Sequence, residues 1–381
     1  MRPLEGLKVL DFSTLLPGPY ATMLLADMGA DILRIESPSR PDLVRTMEPQ
    51  IAGQSAAFEY LNRGKRSLGI NLKHKQAVSI VHALLADYDV LVEQFRPGVM
   101  ARLGLGYEAL SRINPRLIYC SITGYGQSGP YRDRAGHDIN YLALSGISAC
   151  SGKQSTGPLL SGVQIADVAA GSQPAVMAIL AAVIQRSITG EGQFIDIAMS
   201  DQCMALQPLM MPGVTNGHAA IGAQEHFLNG AGVYDYYATA DGLYMAVGSL
   251  EPQFRQRLVE ALGHPEWLAE PDDILKDHLR HTFIQQKQDV WVRCFSEIDA
   301  CVEPVLSMSE ALVHPHALAR QLVAENSAGV KQVRPTPLLA GMDRHSVPAA
   351  PLCGQDNQQI LAQLGMTPEM IAEMETAGLF T

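Results

Sequence analysis

Two residues in this chain combine the types needed for proton or acyl transfer. His137 stands in Ala135-Gly136-His137-Asp138-Ile139-Asn140-Tyr141, and Asp167 in Gln164-Ile165-Ala166-Asp167-Val168-Ala169-Ala170-Gly171. Each has an ordinary explanation on its own. A lone histidine is most often a surface or satisfied core residue, and an aspartate opening an apolar helix is most often its cap. The start of a helix, however, also presents free N–H groups and the positive end of the dipole, which stabilise an anion forming on a ligand. An imidazole titrates near neutrality, and burial raises a carboxylate toward the same range. A base on one face of a carbon and an acid on the other would remove and return a proton with inversion. Alternatively, Asp167 attacks an acyl carbonyl and forms an anhydride. Spacing leaves both routes open.

Arg63, Lys65, Arg66 and Lys73 are followed by Arg96 and Arg102 and then by Gly104-Leu105-Gly106. Any one of these is most simply a solvated surface charge. As a set gathered by loops at one sheet edge, they suit a phosphate-bearing ligand such as coenzyme A. A coenzyme A thioester also fits the His/Asp chemistry. Its α-proton is weakly acidic, and its loss leaves an enolate that an oxyanion site can hold.

The elements that must position these residues alternate between strand and helix. Leu7 to Phe12 is strand-like, Pro17-Gly18-Pro19 breaks the chain, Tyr20 to Met28 has helical spacing, and Asp31 to Ile35 is a second strand. Val78–Asp87 follows as a helix, with Val90–Glu93 and Leu117–Ile122 as strands, the order of a parallel α/β sheet. Glu36 ends the second strand where a dinucleotide fold places its ribose-binding acid. Gly18 stands alone between two prolines, though, and the lack of a GxGxxG argues against that cofactor. Ala166 to Gln185 is a long apolar helix that Pro174 should kink or split. Phe194–Met199 is a further strand, and the Met-rich stretch from about 200 to 225 is expected to be a linker. Val233–Ala238 and Leu243–Val247 flank Thr239-Ala240-Asp241-Gly242, a hairpin turn opening a different domain. Charged helices, a Pro-rich stretch from Val330 and a helical tail from Gln355 to Ala377 complete the chain.

At 381 residues the chain exceeds the size at which one core keeps growing, so two domains are expected. The net charge of −11 argues against nucleic acid or a membrane surface as partner. The start, Met1-Arg2-Pro3-Leu4-Glu5, lacks the apolar run of a signal peptide. The longest apolar run, Ala175 to Ile184, is shorter than the roughly 18 residues of a membrane span. Six scattered cysteines without a CxxC pair point to reduced thiols in the cytosol rather than disulfides or a zinc site. The expectation is a cytoplasmic protein without a metal or a tightly bound cofactor.

Several longer segments carry a resemblance. They are Pro3-Leu4-Glu5-Gly6-Leu7-Lys8-Val9-Leu10-Asp11, Gly18-Pro19, Leu25-Ala26-Asp27-Met28-Gly29-Ala30-Asp31 and Lys65-Arg66-Ser67. Arg96-Pro97-Gly98, Arg102-Leu103-Gly104 and Thr189-Gly190-Glu191-Gly192-Gln193 with Asp196 and Met199 extend it nearly end to end. Together they resemble the family III coenzyme A transferases (the CaiB/BaiF superfamily), and within them the α-methylacyl-CoA racemase branch most closely. The resemblance assigns the catalytic histidine to the Gly136 to Tyr141 segment and the shared catalytic carboxylate to Asp167. Glu251, in Glu251-Pro252-Gln253-Phe254, matches a glutamate that holds the histidine. Formyl-CoA-type transferases place Tyr where His137 stands and carry a glycine-rich loop. Here Asn229-Gly230-Ala231-Gly232 has no such run, so both differences favour the racemase.

The resemblance implies an α/β fold with a Rossmann-like large domain and a small α/β domain, assembled as an interlocked homodimer. It divides the chain into 1–200, a linker at 201–225, a small domain at 226–328 and a segment at 329–381 returning to the large domain. The implied activity is epimerisation of 2-methyl-branched acyl-CoA thioesters through an enolate. The alternative is coenzyme A transfer between carboxylic acids through Asp167. Coenzyme A enters as part of the substrate, with Arg102 as phosphate ligand and Lys73, Ile70, Phe95 and Arg34 as its other candidate contacts. Ser37 replaces a basic residue of the racemases, leaving Arg34 and Arg40 on either side of it. Met204, Met210 and Met211 suit either an adaptable acyl channel or core packing.

Overall fold

The computed structural model describes residues 2–335, 337, 339–340 and 347–380, so part of the Pro-rich stretch after Val330 lies outside the described residues. The chain forms two compact units. The first comprises 1–145, 161–206 and 321–381, and the second 146–160 and 207–320.

The first unit is built on a six-stranded parallel sheet. Its strands are β1 (Lys8–Asp11), β2 (Asp31–Glu36), β3 (Arg66–Gly69), β4 (Val90–Glu93), β5 (Ile118–Thr123) and β6 (Phe194–Ala198), in the spatial order β3-β2-β1-β4-β5-β6. Val9 pairs with Ile32 on one side and Val90 on the other. β4 and β5 are buried along their whole length, as expected of parallel strands covered on both faces. The chain steps outward from β1 to β3 and then returns to the other side of β1. That reversal opens a crevice at the carboxyl ends of β1 and β4, where folds of this kind bind ligands.

Three helices matter for the site: α1 (Pro17–Asp27), α2 (Asp138–Leu144) and α3 (Gln173–Thr189). Pro174 lacks the N–H that would close an ordinary turn, and the residues before it, Ala166–Ser172, wind into wider π-helical turns. The expected split is therefore a change of pitch. From Ala166 to Thr189 the helix is long and apolar enough to cross a membrane by length and composition. Its buried side, including Ala175, Ile179 and Ala182, packs on β5 and β6.

A set of buried charges fixes the loop leaving β1. The Lys65 ammonium donates to Asp11 at 3.1 Å, to the Pro19 carbonyl at 3.0 Å and to Asn62 Oδ1 at 3.0 Å. Arg34, fully buried, donates to Asp42 at 2.6 Å and to Asn62 at 3.0 Å. Burial acts to raise the Asp11 carboxyl, but Lys65, Arg34 and the hydroxyls of Ser13 and Thr22 outweigh it and hold the group below its ordinary value. Burial pushes Lys65 down to about 8 against the pull of Asp11. Asp42 also accepts the N–H of Leu15 at 3.1 Å, holding that residue at a left-handed φ of 61°. The carboxyl-terminal segment closes this side of the unit. Asn357 accepts the N–H of Gly69 at 2.8 Å, and Asp356 that of Ser67 at 2.7 Å.

The second unit holds a three-stranded antiparallel sheet of β7 (Asp235–Ala238), β8 (Tyr244–Val247) and β9 (Val302–Pro304), with β8 in the centre. The hairpin forms as its turn residues require, with Ala238 opposite Tyr244 and Gly242 at φ +77°. α4 (Pro252–Ala261) and further helices pack Leu258, Leu275, Phe283 and Trp291 against one face. The stretch read as a linker contains helical segments, Met199–Ala205 and Met211–Thr215, and residues from 207 onward belong to this unit.

Candidate active site

Loops leaving the carboxyl ends of β1, β4, β5 and β6 enclose a cavity of about 260 Å³. Pro17 enters it from β1, Phe95 from β4, Tyr125 from β5 and Met199 from β6. His137 and Asp167 both line it, so the two residues singled out by type are brought to one place.

His137 is fixed through its backbone. Its N–H donates to Asn140 Oδ1 at 2.9 Å, and the Asn140 N–H donates back to the His137 carbonyl at 2.8 Å. The residue is exposed. The preceding loop is held by Tyr141, whose hydroxyl donates to the Gly136 carbonyl at 2.6 Å. The tyrosine ring packs so closely that a Cβ at Gly136 would come within 2.7 Å of it, and one at Gly124 within 2.5 Å. The glycine before His137 is thus a packing requirement.

Asp167 lies in the first π-helical turn. Asp138 Oδ1 accepts the N–H of Ala166 at 2.6 Å and that of Asp167 at 3.1 Å. One side chain therefore caps the helix that carries Asp167 and directly follows His137 in the chain, tying the two together. Burial, then the nearby Asp138 charge, push the Asp167 carboxyl up to about 6, with His137 acting in the opposite direction. The Asp167 carboxylate accepts no hydrogen bond among the described residues, so it stays free to exchange a proton. Ser172 anchors the same turns to the β1 loop by donating to the Pro17 carbonyl at 2.7 Å.

The basic residues of the sequence divide in two. Arg63 is paired with Asp27 and Arg66 with Asp31, each at 2.6 Å, while Lys65 and Arg34 belong to the buried network. Arg34 is the clearest correction, because its guanidinium is sealed in ion pairs and offers nothing to a nucleotide. Ile70 is likewise removed as a side-chain contact, being fully buried in the core beside Leu68 and Ala77. Glu36, the ribose-acid position, is bound by Arg45 at 2.7 Å and by the Ser67 hydroxyl. Lys73, Arg96 and Arg102 remain exposed, and Phe95 is half-buried on the cavity wall. Glu251 lies in the second unit, exposed, at the residue preceding α4.

Sequence reasoning missed two groups. Arg132 and Arg134 line the cavity without an ion pair among the described residues. Arg132 and Arg102 flank Gly98 together, their guanidinium nitrogens 3.6 and 3.2 Å from where a Cβ would stand. Their position just before Gly136-His137 was the available signal. Asp138 was missed because its two acceptor bonds reach residues 28 and 29 positions away.

Relatives in sequence and structure share the family and the fold. The CoA-transferase family III pattern matches residues 4–357. The human α-methylacyl-CoA racemase is 36% identical over 98% of this chain and 96% of its own length. The human succinyl-CoA:glutarate CoA-transferase is 32% identical over all of this chain and 90% of its own. A CaiB/BaiF family protein from Brucella suis superposes with a TM-score of 0.83 at 30% identity, covering 95% of this chain and 99% of that one. The chain belongs to CoA-transferase family III. Its mixed α/β fold with a central parallel sheet is that of the CaiB/BaiF structures, and the family places it among enzymes acting on acyl-CoA substrates.

Proposed function

We propose that this enzyme epimerises 2-methyl-branched acyl-CoA thioesters by 1,1-proton transfer through an enolate. The carrying observation is one cavity lined by both the His137 imidazole and an Asp167 carboxyl raised to about 6. A carboxyl near 6 exchanges protons readily at neutral pH, so it can serve one face of the α-carbon while His137 serves the other. Arg102 holds the phosphates, with Arg132 beside it and Lys73 and Phe95 as neighbours of the nucleotide.

In this reading the active form is an interlocked homodimer in the cytoplasm, with Glu251 of the partner copy holding His137. Support for self-association comes from α3, where Met177, Ile184 and Ile188 are 69%, 64% and 81% exposed. Such an apolar stripe is usually covered. A second reading, coenzyme A transfer with Asp167 as nucleophile, is favoured by the transferase among the relatives. An Asp167 carboxyl raised by burial and by Asp138 suits a proton carrier better than an always-ionised nucleophile. The test is incubation with one enantiomer of a 2-methylacyl-CoA in D₂O. Deuterium at the α-carbon with no movement of coenzyme A supports the racemase. No deuterium, with coenzyme A passing to an added carboxylic acid, overturns it.

A further inference from the structure

One buried carboxyl beside the catalytic cavity has no part in the proton transfer. Glu93 is the last residue of β4, and the sheet register sets it opposite Ser121 on β5, which in turn lies opposite Asp196 on β6. Glu93 is buried and forms no ion pair among the described residues. It accepts instead the Phe95 N–H at 2.8 Å and the Ser121 hydroxyl. Ser121 Oγ accepts the side-chain amide of Gln127 at 2.8 Å, and the Gln127 N–H donates to Asp196 at 2.9 Å. Burial first, then the Asp196 carboxylate, push Glu93 up to about 7 against the two bonds it accepts. Tyr119 and Cys120 on β5 are the other titratable groups that feel its charge.

These bonds hold the loop that begins at Gln94. Gln94, Phe95 and Arg96 line the catalytic cavity, as do Thr123, Gly124 and Tyr125 of the loop after Ser121. Gln94 Oε1 accepts the Gly18 N–H at 2.9 Å. The β4 loop is thus fastened to the β1 loop on one side and, through Glu93, to β5 on the other. An ionised Glu93 accepts both of its donors. A protonated one carries a hydrogen that Ser121 Oγ can accept only by turning its own O–H away, so the bonds must rearrange.

We propose that Glu93 is a positioning residue that sets the Phe95–Arg96 wall for coenzyme A, and that binding is tighter when its carboxylate is ionised. The proposal rests on the reading that Phe95 and Arg96 face coenzyme A. Binding should therefore weaken as pH falls through about 7. Glu93→Gln keeps an acceptor for Phe95 and loses the charge. By calorimetry it should weaken coenzyme A about fivefold at about pH 8 but less than about twofold at about pH 6, where the wild-type carboxyl is itself protonated. Comparing the two proteins cancels the ligand's own titration. The KM for the thioester should follow, while kcat for α-proton exchange stays within about twofold. Ser121→Ala removes a bond that favours the charged form, so the pH at which binding weakens should move upward. The same gap between wild type and Glu93→Gln at both pH values, or a fall in kcat with unchanged Kd, overturns the proposal. If coenzyme A does not bind the wild-type protein, the coenzyme A reading fails, and hydrogen exchange of the 94–98 amides still decides the role of Glu93. That exchange should be about tenfold faster in Glu93→Gln at about pH 8, and unchanged exchange overturns the proposal.

Discussion

Two polar clusters in the first unit differ in how completely their groups are partnered. Around Lys65, every charge has an answer. Its ammonium meets Asp11, Asn62 and a carbonyl, Arg34 meets Asp42 and Asn62, and Asp42 holds the Leu15 loop. Around His137, the imidazole and the Asp167 carboxylate line one cavity, and the carboxylate has no hydrogen-bond partner among the described residues. Burial perturbs both clusters, since Lys65 falls to about 8 and Asp167 rises to about 6. In the first, the perturbation belongs to a locked structural network. In the second, it leaves a group poised to gain and lose a proton. A shifted pKa marks chemistry only where the group is also free to move its proton.

That contrast can be broken in three ways, from largest effect to smallest. Asp11→Ala leaves Lys65 buried beside Arg34 without its main counter-charge, and should cost about 3–5 kcal/mol in urea unfolding. A loss below about 1 kcal/mol would mean the network does not hold the fold. Gly136→Ala should cost about 1–3 kcal/mol of stability and slow α-proton exchange about 100-fold, because the added methyl meets the Tyr141 ring and shifts His137. Unchanged turnover would show that the close packing does not set the histidine. Asp138→Asn keeps the oxygen that caps Ala166 and Asp167 and removes the charge that helps raise the Asp167 carboxyl. Asp167 must be ionised to accept a proton, so exchange in that direction falls as pH drops below about 6. In the variant this acid limb moves to lower pH. An unmoved limb would separate Asp138 from the tuning of Asp167.

The sequence carried the parallel sheet well, because its strands are short apolar runs set between turn residues. Val90–Glu93 is the observed strand, and the hairpin around Thr239–Gly242 pairs as its turn demands. His137 and Asp167 were legible by residue type together with family resemblance. The fates of the basic residues were not. Arg63, Lys65 and Arg66 sit close in sequence to Arg34 and Lys73 and look alike there, but their carboxylate partners come from β1, α1 and the start of β2. β9 escaped because a three-residue strand at a sheet edge has too little periodicity to announce itself. The cap by Asp138 escaped for the opposite reason: aspartate at a helix start is so common that its acceptor role at a distant helix is invisible.

The direct test of the central claim is His137→Ala incubated in D₂O with each enantiomer of a 2-methylacyl-CoA separately. Two bases on opposite faces predict an asymmetric defect. Deuterium enters from the enantiomer that Asp167 faces, the other enantiomer exchanges at least about 1,000-fold more slowly, and neither is converted to its mirror image. Equal exchange from both enantiomers, or conversion at the wild-type rate, would contradict the account.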